Sequence, residues 1–299
     1  MTPSPDRHIT VVAEGFSFLE APRWREGALY VSDFYTKRVL SFDAEGRMER
    51  VCTVEGQPSG LGFTPNGEML IVSMLDRRLL RLTAGELVEF ADLSSVAPAS
   101  CNDLLVDDAG GAYVGNFGWD PALDLTVQPT CLIRVAPDGS ATIAADDLVF
   151  PNGAVLTPDR RTLLISETFA SRISAFDVAS DGKLSNRRAW AEFGDPGKLL
   201  PDTVASGLPL PDGMALDAEG AIWIGDAAGP GAHRVTEGGE IVETVETGEL
   251  SVYAVALGGE DRRTLYMCAS PPLLRTNPAE QHLARLLSCR VDVPGAGLP

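Results

Sequence analysis

One pattern is written six times along this chain, and it restricts the fold more than any bulk property does. Each unit opens on a short strand-like stretch, and the six stretches align: Glu20-Ala-Pro-Arg-Trp24, Ser59-Gly-Leu-Gly-Phe63, Asn102-Asp-Leu-Leu-Val106, Asn152-Gly-Ala-Val-Leu156, Asp212-Gly-Met-Ala-Leu216 and Tyr253-Ala-Val-Ala-Leu257. The fifth position is apolar every time. Turns such as Thr64-Pro65-Asn66-Gly67 and Asp217-Ala218-Glu219-Gly220 lead into second strands ending on Asp33, Met74, Asn116, Glu167, Asp226 and Ala269. Third strands follow, for example over Arg38 to Phe42 and Arg172 to Phe176.

The units start near residues 20, 59, 102, 152, 212 and 253, close to the ~40–50-residue period of a propeller blade. The expected fold is all-β: a six-bladed β-propeller of four-stranded blades around a central channel, with residues 1–299 forming one domain. Closing the ring leaves no long unprotected edge. The β-branched stretch from His8 to Glu14 is placed to pair with the last blade and close the circle. The longest insertions, Phe117 to Thr130 and Asp181 to Leu210, are expected as loops, where specificity tends to reside.

With 24 Lys and Arg against 42 Asp and Glu, the net charge is −18. Such a surface repels phosphate, which argues against nucleic acid and against an anionic membrane. Met1 to Glu20 lacks a basic region followed by an apolar one, and no stretch approaches the ~18 apolar residues of a membrane helix. The expectation is a soluble, cytoplasmic protein, monomeric or weakly homo-oligomeric, acting on a small molecule. The five cysteines contain no CxxC pair and read as small buried hydrophobes. The three histidines are far apart, which supports neither a His-rich metal site nor a Ser-His-Asp triad.

The innermost strand of each propeller blade lines the channel, so the first aligned positions should ring its mouth: Glu20, Ser59, Asn102, Asn152, Asp212 and Tyr253. Two carboxylates and two amide oxygens make an oxygen-only cage suited to one hard divalent cation, Ca²⁺ first, with Zn²⁺, Mg²⁺, Mn²⁺ or Fe²⁺ also compatible. Without a cation the carboxylates would repel each other. Any single Asn-Gly, Asp-Gly or Ser-Gly pair could merely supply a turn. Four oxygen-bearing residues at six equivalent positions, one a Glu that no turn needs, favour a site. Asp33, Asn116, Glu167 and Asp226 read as exposed, solubilising strand ends rather than as an outer polar tier. Asp103 is expected to point away from Asn102 by strand alternation and to be structural. Gly229-Pro230-Gly231 fits no phosphate loop.

Phe18-Leu19-Glu20-Ala21-Pro22-Arg23-Trp24, Asn102-Asp103, Pro151-Asn152-Gly153 and Pro211-Asp212-Gly213 resemble the signature stretches of the senescence-marker-protein/gluconolactonase/luciferin-regenerating-enzyme family of six-bladed propellers. The resemblance covers essentially the whole chain and implies a metal-dependent lactonase; diisopropyl fluorophosphatase is a similar propeller hydrolase. It implies that Glu20, Asn152 and Asp212 ligate the metal, with Asn102 a fourth ligand or a contact to substrate and water. Sugar lactonases of this family commonly carry Arg where this chain has Ser100, so a bidentate grip on sugar hydroxyls or a carboxylate is missing. Phe117 and Trp119, with Phe16, Phe18 and Met74 near the same rim, point to a less polar lactone, packing between blades being the alternative. The expected substrate contacts are thus Ser100, Asn102, Phe117 and Trp119.

The expected reaction is hydrolysis of a cyclic ester, with the cation polarising the carbonyl oxygen, Asp212 as general base, and Asn102 and Asn152 orienting. The alternatives are hydrolysis of a phosphotriester or aryl ester in the same cage, and a ligand-binding propeller whose cation is structural.

Overall fold

The computed structural model describes residues 7–297. The ends of the 1–299 span, including the first six residues of the Met1–Glu20 stretch, lie outside the described residues.

Six four-stranded antiparallel sheets follow one another in chain order. The inner strands are Leu19–Arg25, Pro58–Phe63, Cys101–Val106, Pro151–Leu156, Pro211–Leu216 and Ser251–Gly258, each reaching one or two residues beyond the aligned stretches. Blades one to five run outward as meanders. Blade six is completed from the other end of the chain: Thr10–Phe16 pairs antiparallel with Ala284–Arg290, Thr10 opposite Ser288. The expected closing strand therefore exists, displaced two residues toward the C-terminus.

Apolar alternation on both faces of each sheet explains the packing. Six clusters of buried hydrophobic side chains fill the six seams between neighbouring blades. The seam between blades one and two, for example, joins Val39 and Val54 to Leu61 and Ile71. Cys101, Cys131, Cys268 and Cys289 are buried free thiols, as their apolar neighbours suggest.

The seams are tight near the axis. The second strands of blades one, three, four, five and six carry Ser32, Gly115, Ser166, Gly225 and Cys268 at one equivalent position, because the backbone of the next inner strand approaches there. Ser32 Oγ donates to the Ser59 carbonyl at 2.6 Å and Ser166 Oγ to the Asp212 carbonyl at 2.7 Å. A Cβ on Gly115 would stand 2.1 Å from the Pro151 carbonyl oxygen.

Two expectations are corrected. Asp33, Asn116, Glu167 and Asp226 are not exposed solubilising ends: the first three have no accessible surface and Asp226 has 5%. Each instead braces backbone or loop groups at the channel mouth. Asp33 accepts the Phe18 amide, Glu167 the Val149 amide and Asp226 the Leu210 amide, while Asn116 accepts the Gly118 amide. The stretch from Asp181 to Leu210 is not all loop, because Leu184–Glu192 forms the outer strand of blade four; a short helix, Leu200–Ala205, lies in what remains.

Candidate active site

Every inner strand carries a register shift at the same level. The shifts fall between Glu20 and Arg23, Pro58 and Leu61, Cys101 and Leu104, Pro151 and Ala154, Pro211 and Met214, and Val252 and Ala254. One extra residue per bulge breaks strict alternation, and the bulges hold the six residues expected to ring the channel. The glycines after Ser59, Asn152 and Asp212 serve close approach rather than a turn. A Cβ on Gly153 would meet the Asp212 carbonyl oxygen at 2.5 Å, and one on Gly213 would meet the Ala254 Cβ at 2.5 Å.

The bulge also overturns the expected direction of Asp103, though not the expectation that it is structural, since it does not line the cavity that Asn102 lines. It is buried beside the axis, its Oδ1 2.8 Å from Arg23 Nη2, and its charge acts on both Glu20 and Asp212. Alternation fails here because the extra residue falls at this point in the strand.

Glu20, Asn102, Asn152 and Asp212, from blades one, three, four and five, all line a single cavity of about 450 Å³. All four are 5–7% exposed. Asn102 Oδ1 accepts from Ser59 Oγ at 3.3 Å. Asn152 Nδ2 donates to Thr168 Oγ1 at 3.2 Å, and Thr168 Oγ1 in turn donates to the Pro211 carbonyl at 2.9 Å. Glu20 Oε2 accepts its neighbour's amide, Ala21 N, at 3.0 Å. Burial, followed by the negative charges of Asp212 and Asp103, holds the Glu20 carboxyl well above its usual range. Burial, followed by the charges of Asp103 and Asp226, does the same to Asp212.

Among the described residues, no group of three His, Cys, Asp or Glu side chains is gathered to hold a metal. The axis gathers two carboxylates and two amides instead. Asp212 Oδ1 is buried with no hydrogen-bond partner, an arrangement seldom left uncompensated in folded proteins. A hard divalent cation matches this all-oxygen set, the repulsion within it and the orphaned oxygen.

Above the polar floor the cavity is apolar. In blades one to five its wall repeats one structural position, the residues leaving the second strands being Phe34 and Tyr35, Met74 and Leu75, Phe117, Thr168 and Phe169, and Ala227 and Ala228, while blade six contributes Pro272 and Leu273 from slightly farther past its strand end at Ser270. Phe18 packs on Phe34 and Tyr253, with ring centroids 5.2 and 4.7 Å apart. Phe150 packs on Phe117 and Phe169 at 4.8 and 4.6 Å. Among the described residues, no Lys, Arg or His lines the cavity.

Ser100 and Phe117 line the cavity as expected. Trp119 does not: it stands behind Phe150 and Phe169, at 6.0 and 5.8 Å, with Nε1 donating to the Asp124 carbonyl. Phe18 and Met74 belong to the rim, whereas Phe16 is buried in the seam between blades six and one. Phe150, Phe169 and the pair Phe34–Tyr35 escaped sequence reasoning, although Phe34–Tyr35 and Phe169 follow second strands at a fixed offset that was a usable signal, whereas Phe150 precedes an inner strand.

Fold and site together define a six-bladed propeller with an oxygen-lined floor at the bottom of an axial, apolar cavity. The chain belongs to the SMP-30/Gluconolactonase/LRE-like region family, whose model matches residues 18–270. It is 28% identical over 292 residues to a 6-deoxy-6-sulfogluconolactonase of Pseudomonas putida, covering 94% of this chain and 93% of that one. It is also 28% identical over 253 residues to a pentonolactonase of Haloferax volcanii, covering 83% and 80%. Among solved structures, a luciferin-regenerating enzyme superposes with a TM-score of 0.81 at 16% identity, covering 98% of each chain. The calcium-binding protein regucalcin of Agrobacterium tumefaciens superposes at 0.78 and 20% identity, covering 99% and 97%. At those identities the two structures speak for the fold.

Proposed function

We propose that the protein is a lactonase whose Glu20, Asn102, Asn152 and Asp212 hold one divalent cation, Ca²⁺ by preference, and whose substrate is less polar than a sugar lactone. The observation that carries this reading is Asp212 Oδ1, buried and unpartnered at the base of a cavity whose wall is aromatic and aliphatic. The curated relatives named as lactonases support ring opening of a cyclic ester. The absence of any basic residue among the described residues that line it separates this cavity from one built to grip an anionic sugar acid.

A divalent cation supplies stabilisation of the negative charge that develops on the lactone carbonyl oxygen. Asp212 takes a proton from the attacking water and returns it to the ring oxygen as the carbon–oxygen bond opens. Asn152, held by Thr168, and Asn102, held by Ser59, keep their amides aimed at the axis. The apolar wall excludes bulk water, which strengthens every charge interaction on the floor. Ser100 and Phe117 contact the substrate from blade three, and Trp119 supports the aromatic wall from behind.

The test is a pH-indicator screen of sugar lactones, alkyl and aryl lactones, aryl esters and organophosphates, with chelated and Ca²⁺-reconstituted protein. Turnover of apolar lactones that is lost on chelation supports the proposal. Turnover confined to phosphotriesters or aryl esters replaces lactone hydrolysis with that chemistry. Ligand binding without turnover of any class makes the protein a binding propeller.

A further inference from the structure

Arg23 lies three residues beyond Glu20 on the inner strand of blade one, past the bulge, and reaches across to blade three. Its Nη2 donates to Asp103 Oδ1 and to the Leu104 carbonyl, both at 2.8 Å, and its Nη1 to the Pro22 carbonyl at 3.1 Å. Asp103 Oδ1 also accepts the Leu104 amide at 2.8 Å. The two side chains are 8% and 4% exposed. Neither lines the substrate cavity; Arg23 borders openings on the opposite side of the cage, among Phe63, Pro65 and Leu105. An ion pair this deep is a poor device for stability alone, since desolvation offsets much of its attraction.

Its position gives it another use. Asp103 is a third carboxylate beside the axis, next in the chain to the cage residue Asn102, and Arg23 grips it from three residues beyond Glu20. Glu20, Asp212 and Asp103 bring three negative charges to the cage and the Arg23 guanidinium offsets one of them, while Asp226, whose charge also acts on Asp212, meets His233 Nε2 at 3.3 Å. Asp103 alone would make the cage over-negative, and Arg23 alone would repel the cation. We propose that Arg23 and Asp103 form a charge-balancing pair on the far side of the cage, setting its net charge and thereby its affinity for a divalent cation. This rests on the reading of the cage as a cation site. It makes Arg23 and Asp103 positioning residues that act through the four cage side chains.

The test is titration calorimetry of the full chain with Ca²⁺ alone, so that no substrate enters the measurement. Asp103→Asn leaves the guanidinium unbalanced and should weaken Ca²⁺ binding about tenfold or more, the scale of one charge at short range in a partly shielded interior. Arg23→Met leaves the carboxylate unbalanced and should tighten binding. Arg23→Met combined with Asp103→Asn should return the Kd to within about threefold of wild type, as expected when the single effects are opposite and coupled. A purely structural clamp predicts instead that both single variants weaken binding and that the double variant recovers nothing, and that result overturns the proposal. If Arg23→Met does not fold, Arg23→Lys decides: it keeps the charge but loses the fork, so near-wild-type affinity supports charge balance and a loss matching Asp103→Asn refutes it. A wild-type protein that binds no Ca²⁺ overturns the cage itself, and the pair's role falls with it.

Discussion

Asp212 Oδ1 is the atom on which the site turns. An unsatisfied buried polar group costs about 1–3 kcal/mol, and more when charged, so its retention without a protein partner marks a group meant to meet something else. In Asp212→Asn one ligand oxygen and the side-chain size survive, while the proton acceptor and a formal charge are lost. Turnover in metal-replete Asp212→Asn is expected to fall by about 10²–10⁴, the usual contribution of general acid–base catalysis; near-wild-type turnover removes Asp212 as the base. Ser100 is tested by addition. An arginine there would bring the cavity its first guanidinium, so Ser100→Arg should raise the ratio of turnover on polar sugar lactones to that on apolar ones, with folding intact by circular dichroism. An unchanged ratio means that position 100 does not meet the substrate. The four axial residues of the cavity floor were legible in the sequence because they recur at one repeat position. Asp103 was misread because its direction depends on a one-residue bulge that side-chain alternation does not encode.

At the scale of strands, the second-strand termini tie the rim to the scaffold. Burial alone would raise Glu167, but hydrogen bonds from Arg172 and Ser174 and the charges of Arg172 and Arg187 carry it below its ordinary value. Its Oε2 also accepts the Val149 amide, just ahead of Phe150-Pro151-Asn152. Glu167→Gln should therefore destabilise the protein at pH 7 by about 2–4 kcal/mol. That lies at or below the range for breaking a buried ion pair, because the two guanidiniums remain 30% and 28% exposed. A depressed carboxylate pKa contributes stability above the unfolded value, near 4.5, and loses it as pH falls through the folded one. The difference between wild type and Glu167→Gln in urea denaturation should thus shrink between pH 7 and pH 3; an equal difference at both would deny the ionised brace. These termini were misassigned because a polar residue closing a strand looks alike whether it meets solvent or a backbone amide. Inner and second strands were legible through dense apolar runs, buried on both faces. Outer strands such as Met48–Thr53 and Leu184–Glu192 are mostly exposed or half-exposed, and their mixed polarity hid them.

Across the whole molecule, closure by Thr10–Phe16 makes each blade depend on two neighbours, and the channel floor gathers side chains from four of the six blades. The ring could be read from the six-fold repeat, and its closing strand from the β-branched stretch just before the first unit. Much of the apolar wall could have been read from the same repeat, since the residues leaving the second strands recur around the ring, but of these only Phe117 and Met74 were distinctive enough singly, and Phe18 was singled out apart from that offset. A cation held by Glu20, Asn102, Asn152 and Asp212 would couple those blades, and should stabilise the fold by about 2.7 kcal/mol at a hundredfold excess over Kd. For a chain of this size that is roughly a 4 °C rise in Tm. The rise should depend on pH in a fixed direction. Glu20 and Asp212 sit well above their ordinary values of 4.5 and 3.8, so in the cation-free fold they bind more protons than in the unfolded chain. Stability from these two groups therefore falls as pH rises from about 4 toward their raised values. A cation competes with those protons and cancels the penalty, so the Ca²⁺-induced increase in Tm should grow from pH 5 to pH 8. Differential scanning calorimetry with Ca²⁺ and with chelator, repeated on Glu20→Gln, measures this directly. A Ca²⁺ increment that is flat across that range, or as large in Glu20→Gln as in wild type, would place the stabilising cation somewhere other than the axis.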